Sequence, residues 1–334
     1  MEDTEFGSRE IPHMRAVLGR FDERDAVLAL QAHHVAIDGW SMQLIMRDLV
    51  TAYSARAGRG AAPADVAQYR EYSAWQKADL GEESLAAARE YWRAKLHGAR
   101  MLGVPVGRRR PEDATPVFAV HRFVFDAELT SALLTAARNG RSSPFMVLLA
   151  AYNLLLRDTT GDADIVIPTI TFGRGHPRFD DTVGPFFNFV PLRTDLTGCE
   201  TVRDVLARTR ATCIEAQTHE IPFAHILAEA PELMETFGDD GVAVCAFQAF
   251  QNGPNGGRMG SVEYTELRRR VLFQSTGSDI PDGALWTMEI DPSGEIFGCV
   301  RYDRNEFDQS GPAGLVERFE RLLRRVVTTP DSAV

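Results

Sequence analysis

The run HHVAIDGWS at residues 33–41 separates two segments with different hydrophobic patterns, and it decides the fold prediction. Before it, Ala26–Ala32 is almost wholly apolar, which is typical of a buried strand, and a polar turn at 22–25 joins this strand to a partly alternating one at 14–21. After it, apolar residues recur at three- and four-residue steps from 42 to 53, which predicts an amphipathic helix. The run is therefore predicted to lie between the second strand of a hairpin, buried on both faces, and a helix.

The residues of this loop suit acid–base chemistry. A histidine that leaves a buried strand is held on a rigid support, so the ring of His33 or His34 can act as a base. Asp38 is close enough along the chain to fold back and fix the loop through a salt bridge or backbone hydrogen bonds. Gly39 permits a backbone conformation, or a close approach, that a side chain would block.

Three other interpretations of the same residues stay open on this local pattern. The two histidines can be structural, which is the usual role of a single histidine. His34 and Asp38 can be metal ligands at helical spacing, although a strand-like run precedes His34 and no third ligand is evident. Asp38 and Gly39 can form a simple turn before a helix that starts near Ser41.

Periodicity predicts the remaining elements. Helices are predicted at 69–75, 85–96, 127 onward, 143–157 with Ser143 as N-cap, 202–216 and 315–326, and strands at 117–125, 164–171, 242–250, 285–290 and 296–302. Strands and helices mixed without strict alternation indicate an α/β or α+β layered fold. The Gly-, Arg- and Pro-rich stretch at 98–116 is predicted to link two lobes, which divides the chain into residues 1–110 and 111–334.

Composition excludes several classes of function. The net charge of −11 argues against binding to nucleic acid or to an anionic membrane, since both require clustered Lys and Arg. No apolar run approaches the roughly eighteen residues of a membrane span, and the acidic N-terminus is unlike a signal peptide, so a cytoplasmic location is expected. The four cysteines have no CxxC spacing, which predicts buried free thiols and no metal site.

The run HHVAIDGWS resembles the HHxxxDG motif of the condensation domains of nonribosomal peptide synthetases, within the wider chloramphenicol-acetyltransferase-like superfamily. Six further segments resemble that family in the same order: AQYREYSAW with AREYWRAKL, SSPFMVLLAAYNLLL, GDADIVIPTITFGR, VGPFFNFVPLR, THEIPFAHIL, and VRYDRNEFD with the final helix. The resemblance extends from about residue 12 to the end of the chain.

The resemblance implies a fold of two acetyltransferase-like lobes and an acyltransferase of natural-product biosynthesis. Such an enzyme joins a carrier-bound acyl thioester to an amine or hydroxyl acceptor, forming an amide or an ester. The implied partners are peptidyl or acyl carrier proteins, whose phosphopantetheinyl arms present the substrates, and the protein itself binds no cofactor.

The resemblance also implies roles for individual residues. His34 is the catalytic residue, as general base or as the group that orients the amine and stabilises the tetrahedral intermediate. His33, Asp38 and Gly39 are structural, and Gly39 also lines the acceptor channel or stabilises charge through its N–H. A position along the channel or between the lobes is implied for Trp40, Ser41, Asn188, Arg193 and Gln251.

The chain departs from the family pattern before the motif, because only 32 residues precede His33. The N-terminal lobe is therefore expected to be incomplete, as a fragment, as a shortened enzyme, or as a split domain whose missing half-lobe another chain supplies. The arginine that pairs with the motif aspartate is expected in the missing part, which leaves Arg15 and Arg20 as candidate partners of Asp38. Two other functions remain: an inactive carrier-docking or scaffold domain, and an acyltransferase that uses coenzyme A.

Overall fold

The computed structural model describes residues 9, 11–79, 81–108, 115, 117–239, 241–251, 256–267, 283–308 and 310–334. The chain divides into two compact units. The smaller unit comprises Met1–Gly81, Phe172–Asn188 and Gly256–Thr265, and the larger unit comprises Glu82–Thr171, Phe189–Asn255 and Glu266–Val334. Within the described ranges, no helix is both long and apolar enough to cross a membrane.

Helices and strands alternate irregularly along the chain. The helices are α1 (Gly39–Arg56), α2 (Tyr69–Asp79), α3 (Glu82–Lys95), α4 (Ala127–Asn139), α5 (Pro144–Thr160), α6 (Val202–Thr218), α7 (Phe223–Glu229) and α8 (Ser310–Thr328). The strands are β1 (Met14–Arg20), β2 (Ala26–Ala32), β3 (Gly103–Pro105), β4 (Phe118–Phe125), β5 (Asp164–Thr171), β6 (Asn188–Asp195), β7 (Val242–Gln251), β8 (Gly256–Met259), β9 (Val262–Thr265), β10 (Ala284–Ile290) and β11 (Ile296–Asp303). Two 3₁₀ helices lie at Pro177–Phe179 and Pro231–Gly238.

A five-stranded sheet with the strand order β3-β7-β10-β11-β4 forms the larger unit's framework. β10 pairs in parallel with β7 and antiparallel with β11, so the sheet is mixed. Helix α5 is buried along most of its length because its sequence is apolar on every side, and it packs against α8. Ser143 caps α5 by accepting a hydrogen bond from the Met146 N–H, as its position before Pro144 predicts.

In the smaller unit, the antiparallel hairpin β1–β2 leads into α1, and α2 and the segment 172–188 pack nearby. The core of this region is a cluster of buried rings, those of Tyr72, Phe179 and Phe186. The half-buried Tyr69 and Trp75 pack against them. Aromatic rings on α2 and on the segment 172–188 therefore hold the two together by removing a large apolar area from water.

The α/β class is confirmed, and so are most of the predicted elements, with ends that differ by a few residues. Two expectations are wrong. Strand β2 has no fully buried residue, because it pairs only with β1 among the described strands and has no layer covering both faces. The stretch 98–116 is not wholly a linker, since 103–105 forms β3 on β7, and 109–114 and 116 lie outside the described residues.

The two units do not follow the expected lobe boundary at residue 110. Residues 82–108 belong to the larger unit because α3 packs against α7 there and the indole N–H of Trp92 donates to the His219 carbonyl at 2.7 Å. In the other direction, 172–188 and 256–265 join the smaller unit although they follow residue 110. The lobe assignment of residues 1–110 and 111–334 stays a prediction.

Candidate active site

The run at 33–41 forms a short loop between β2 and α1. The hairpin continues one step beyond β2, because the His33 N–H donates to the His13 carbonyl at 2.9 Å, and the Ala36 N–H then closes a turn on the His33 carbonyl at 3.0 Å. The imidazole of His33 faces this turn, where its Nδ1 accepts a hydrogen bond from the Val35 N–H at 2.9 Å. His33 therefore supports the loop with its own ring.

The side chain of His34 points outward and is exposed. Its imidazole lies against the ring of Phe187, with ring centroids 4.9 Å apart and an angle of 79° between the planes. Among the residues that the structure describes, no hydrogen bond occupies either ring nitrogen of His34. A nitrogen with a free lone pair at an exposed position is what a base for an incoming substrate requires.

Asp38 is buried and fully engaged. One carboxylate oxygen, Oδ1, accepts from the Ser41 N–H at 2.7 Å and caps α1, and the other, Oδ2, accepts from the Phe186 N–H at 3.2 Å. The guanidinium of Arg174 contacts both oxygens, at 3.2 and 3.3 Å. The side chains of Arg174 and Asp38 are only 6% and 4% exposed, so each charge depends on the other in a poorly solvated place.

Arg174 corrects the expectation that Arg15 or Arg20 pairs with Asp38. Its Nη1 donates to the carbonyls of Phe179 and Thr182 at 2.9 and 2.8 Å, and the guanidinium lies 3.9 Å from the centroid of the Phe186 ring. The residue is the last of the segment GDADIVIPTITFGR, just after a buried strand. A cation at that position was the available signal, since a buried aspartate needs one.

Ser41 is fully buried and its hydroxyl is saturated. The Ser41 Oγ donates to the Gly184 carbonyl at 2.9 Å and accepts from the Gly184 N–H at 3.0 Å, and Arg174 Nη2 donates to it at 3.2 Å. No surface of Ser41 is left to line a channel, so its geometry is that of a link between α1 and the segment 172–188.

Gly39 and Trp40 begin α1. The steric reason expected for a glycine at 39 is wrong, because its φ is not positive and a Cβ built there meets no described atom within 4 Å. The indole N–H of Trp40 donates to the Asp180 carbonyl at 3.0 Å, and its ring lies 6.1 Å from that of Phe172. Trp40 is still 37% exposed, so it has both an anchor and an open apolar surface.

The three other candidate residues lie apart from this loop in the sequence. Asn188 is the half-buried first residue of β6, and Gln251 is the exposed last residue of β7. The Arg193 guanidinium binds the Asp164 carboxylate, with Nη2 2.6 Å from Oδ2, and its Nη1 donates to the carbonyls of Lys95 and His97 at 3.0 and 3.1 Å. All the contacts of Arg193 thus lie inside the larger unit.

Tyr69 is the titratable side chain whose environment the site alters. Burial raises the pKa of Tyr69 above its ordinary value, and the nearby charge of Asp38 raises it further. Its hydroxyl donates to the Pro185 carbonyl at 3.1 Å. Tyr69 is therefore a neutral hydrogen-bond donor that supports the segment 172–188. Among the described residues, no group of three or more His, Cys, Asp or Glu side chains could hold a metal ion.

Comparison with known proteins shows the family. The family model described as the condensation domain matches residues 3–334, and the chain therefore belongs to that family. A linear gramicidin synthase of Brevibacillus parabrevis is 33% identical over 338 residues, which is 98% of this chain and 4% of that protein. Phosphinothricin tripeptide synthetase PhsC of Streptomyces viridochromogenes is 36% identical over 326 residues, which is 96% of this chain and 29% of that protein. The chain thus spans a small part of these relatives.

A solved structure shows the fold. The SgcC5 protein from Streptomyces globisporus, crystallised with (R)-(-)-1-(2-naphthyl)-1,2-ethanediol and sucrose, is 42% identical and superimposes with a TM-score of 0.92. The match covers 100% of this chain and 76% of the SgcC5 chain. The predicted chloramphenicol-acetyltransferase-like fold of condensation domains is confirmed.

Gly184 tests how tightly the segment 172–188 is held. A Cβ at Gly184 would lie 2.2 Å from Cδ2 of Tyr69, while a Cβ at Gly175, in the same segment, meets nothing within 4 Å. We expect Gly184→Ala to lower the free energy of unfolding by about 1–3 kcal/mol, since the overpacked ring must move. Gly175→Ala, the matched control, leaves stability unchanged in chemical denaturation. Equal stability of the two variants would show that Tyr69 is not held against Gly184.

Proposed function

We propose that this chain carries out the condensation step of a peptide-forming or related assembly system. In this step an amine acceptor attacks a carrier-bound acyl thioester, and an amide forms. The observation that carries the proposal is the position of His34, whose exposed imidazole keeps its nitrogens free while Asp38 and Arg174 fix the loop beneath it. Membership of the condensation-domain family supports the same reaction.

The chemistry requires a proton acceptor and stabilisation of an oxyanion. His34 takes the proton of the attacking nitrogen, or holds the amine in the attacking geometry, and the thioester carbonyl becomes a tetrahedral oxyanion. The collapse of this intermediate breaks the carbon–sulfur bond and releases the phosphopantetheine thiol, which takes up the proton. The N-terminus of α1 at Gly39 has backbone N–H groups without helical partners, and these are suited to stabilise the oxyanion.

A hydroxyl acceptor is the second candidate, because SgcC5, at 42% identity, was crystallised with an aryl 1,2-diol. The same His34 would then take the proton of an alcohol, and the product would be an ester. The open space at Gly39 and the exposed face of Trp40 leave room near the loop for an aryl group.

Carrier proteins are the partners that this proposal requires. The acyl donor arrives on a phosphopantetheinyl arm, and the acceptor arrives on a second carrier or free in solution. The protein needs no cofactor of its own, since the thioester supplies the energy of the transfer. His33, Asp38 and Gly39 shape the loop, and Trp40 faces the substrate.

His34→Ala tests this proposal. We expect the rate of acyl transfer from an acyl-loaded carrier to fall by about 10²- to 10⁴-fold, which is the usual contribution of a general base. The melting temperature should not change, because the His34 side chain is exposed. His97→Ala is the matched control, since the His97 side chain is also exposed and only its backbone carbonyl is used.

The same assay separates the alternative functions. Transfer to 1-(2-naphthyl)-1,2-ethanediol, but not to the matching amino alcohol at its nitrogen, would identify the ester-forming enzyme. A wild-type chain that binds loaded carriers without any turnover would instead be a docking domain. An unchanged rate in His34→Ala would show that His34 is not catalytic.

We further infer that the hairpin β1–β2 is covered by another polypeptide segment of the condensation fold. Cross-strand partners share a face, and one face of the hairpin carries only apolar residues along most of its length: Met14, Ala16, Leu18, Leu28, Leu30 and Ala32. Leu18 is 63% exposed, and within the described residues each strand pairs only with the other. An isolated two-stranded sheet is marginally stable, and open apolar edges favour association.

The occupant that we propose is the counterpart of the quarter of SgcC5 that this chain does not match. That segment, supplied as a separate chain or joined to Met1, should slow the hydrogen exchange of the β1 and β2 amides and raise the melting temperature. Leu18→Glu should abolish both effects, while Glu23→Lys in the exposed polar turn should retain them. Exchange that the segment does not slow would refute this partner, and exchange that slows with the concentration of the chain alone would identify a second copy instead.

A further inference from the structure

We propose that Phe187 is the positioning residue that sets the orientation of the His34 imidazole, and that Asp38 and Arg174 act on His34 through it. This inference rests on the catalytic role proposed for His34. It assigns to Phe187 the task that a hydrogen-bonded carboxylate performs for many catalytic histidines, which is to hold the ring in one orientation.

The contact between the two rings is the first part of the case. Their centroids lie 4.9 Å apart and their planes meet at 79°, which is the edge-to-face arrangement that aromatic pairs prefer. A pair of this geometry favours one ring orientation over its alternatives by about two- to tenfold. Since no described residue hydrogen-bonds to the His34 ring, Phe187 provides the only orienting contact that the described part of the chain offers.

The position of Phe187 is itself fixed by its neighbours. The preceding residue, Phe186, donates its N–H to Asp38 Oδ2 at 3.2 Å, and its ring lies 3.9 Å from the Arg174 guanidinium carbon. The ring of Phe186 also packs on Tyr69 and Tyr72, with centroids 5.1 and 4.4 Å away. Phe187 therefore leaves a backbone that is held from both sides.

These contacts explain how the motif aspartate can influence a histidine that it does not touch. The Asp38 oxygens are occupied by the Ser41 N–H, the Phe186 N–H and the Arg174 guanidinium. None of these contacts reaches the His34 ring directly. Asp38 and Arg174 fix the backbone at Phe186, and the next side chain, Phe187, transmits that position to His34.

Phe187→Leu tests the inference, because it keeps apolar volume and removes the aromatic edge. We expect kcat for acyl transfer to fall by about three- to tenfold while KM for the acceptor stays within twofold, since the substrate still binds beside a ring that is oriented less often. In NMR spectra, the His34 ring signals should move towards those of an unstacked histidine. Phe187→Tyr, which retains the ring, should keep kcat near the wild-type value. Phe189→Leu, the matched control, removes an exposed ring that packs against Phe223.

A second measurement separates positioning from simple structural support. In the Arg174→Lys background, Phe187→Leu should reduce kcat by less than twofold, because the two changes interrupt the same chain of contacts. Effects that multiply would show that Arg174 does not act through Phe187. Unchanged kcat and unchanged His34 signals in Phe187→Leu would refute the positioning role while leaving the catalytic role of His34 standing. Loss of the catalytic role itself would show separately, as an unaltered rate in His34→Ala.

Discussion

The buried ion pair between Asp38 and Arg174 is the interaction on which the rest of the candidate site depends. It joins the loop that carries the histidines to a segment 136 residues away in the sequence. Leaving one such charge buried without its partner costs about 3–5 kcal/mol, so the loop and the segment are stable together and not apart. The N-cap of α1, the Ser41–Gly184 hydrogen bonds and the packing of Phe186 are all arranged around this pair.

The sequence contains enough local information to predict the elements around the site. The apolar run of β2, the stepwise apolar pattern of α1 and the Ser143–Pro144 start of α5 all have causes within a few residues, and the structure confirms them. The motif run also identifies the family without any structural information. These successes share one property, which is that the pattern and its cause lie close together along the chain.

The features that sequence reasoning missed depend on distant residues. Arg174 becomes the partner of Asp38 because β5 ends near the loop, and no periodicity reports that approach. The strand β3 forms in a Gly- and Pro-rich stretch because β7 offers it an edge to pair with. The half-exposure of β2 follows from the absence of a further described strand beside it, whereas its composition alone predicts burial on both faces.

The hairpin and the candidate site are physically continuous. Strand β2 runs directly into His33, whose N–H still pairs with His13, so the order of the hairpin determines where the loop begins. The loop is thus held at one end by a sheet with open apolar faces and at the other by a buried ion pair. A segment that covers the hairpin would stabilise the first of these supports without touching the second.

A double-mutant cycle on Asp38→Asn and Arg174→Met tests the central claim most directly. Hydrogen exchange of the α1 amides reports the opening free energy of the smaller unit without contribution from the larger one. Each single change should lower this free energy substantially, and the double variant should lose less than the sum, with a coupling of about 1–3 kcal/mol. Strictly additive losses would show that the two charges do not hold the loop and the segment together.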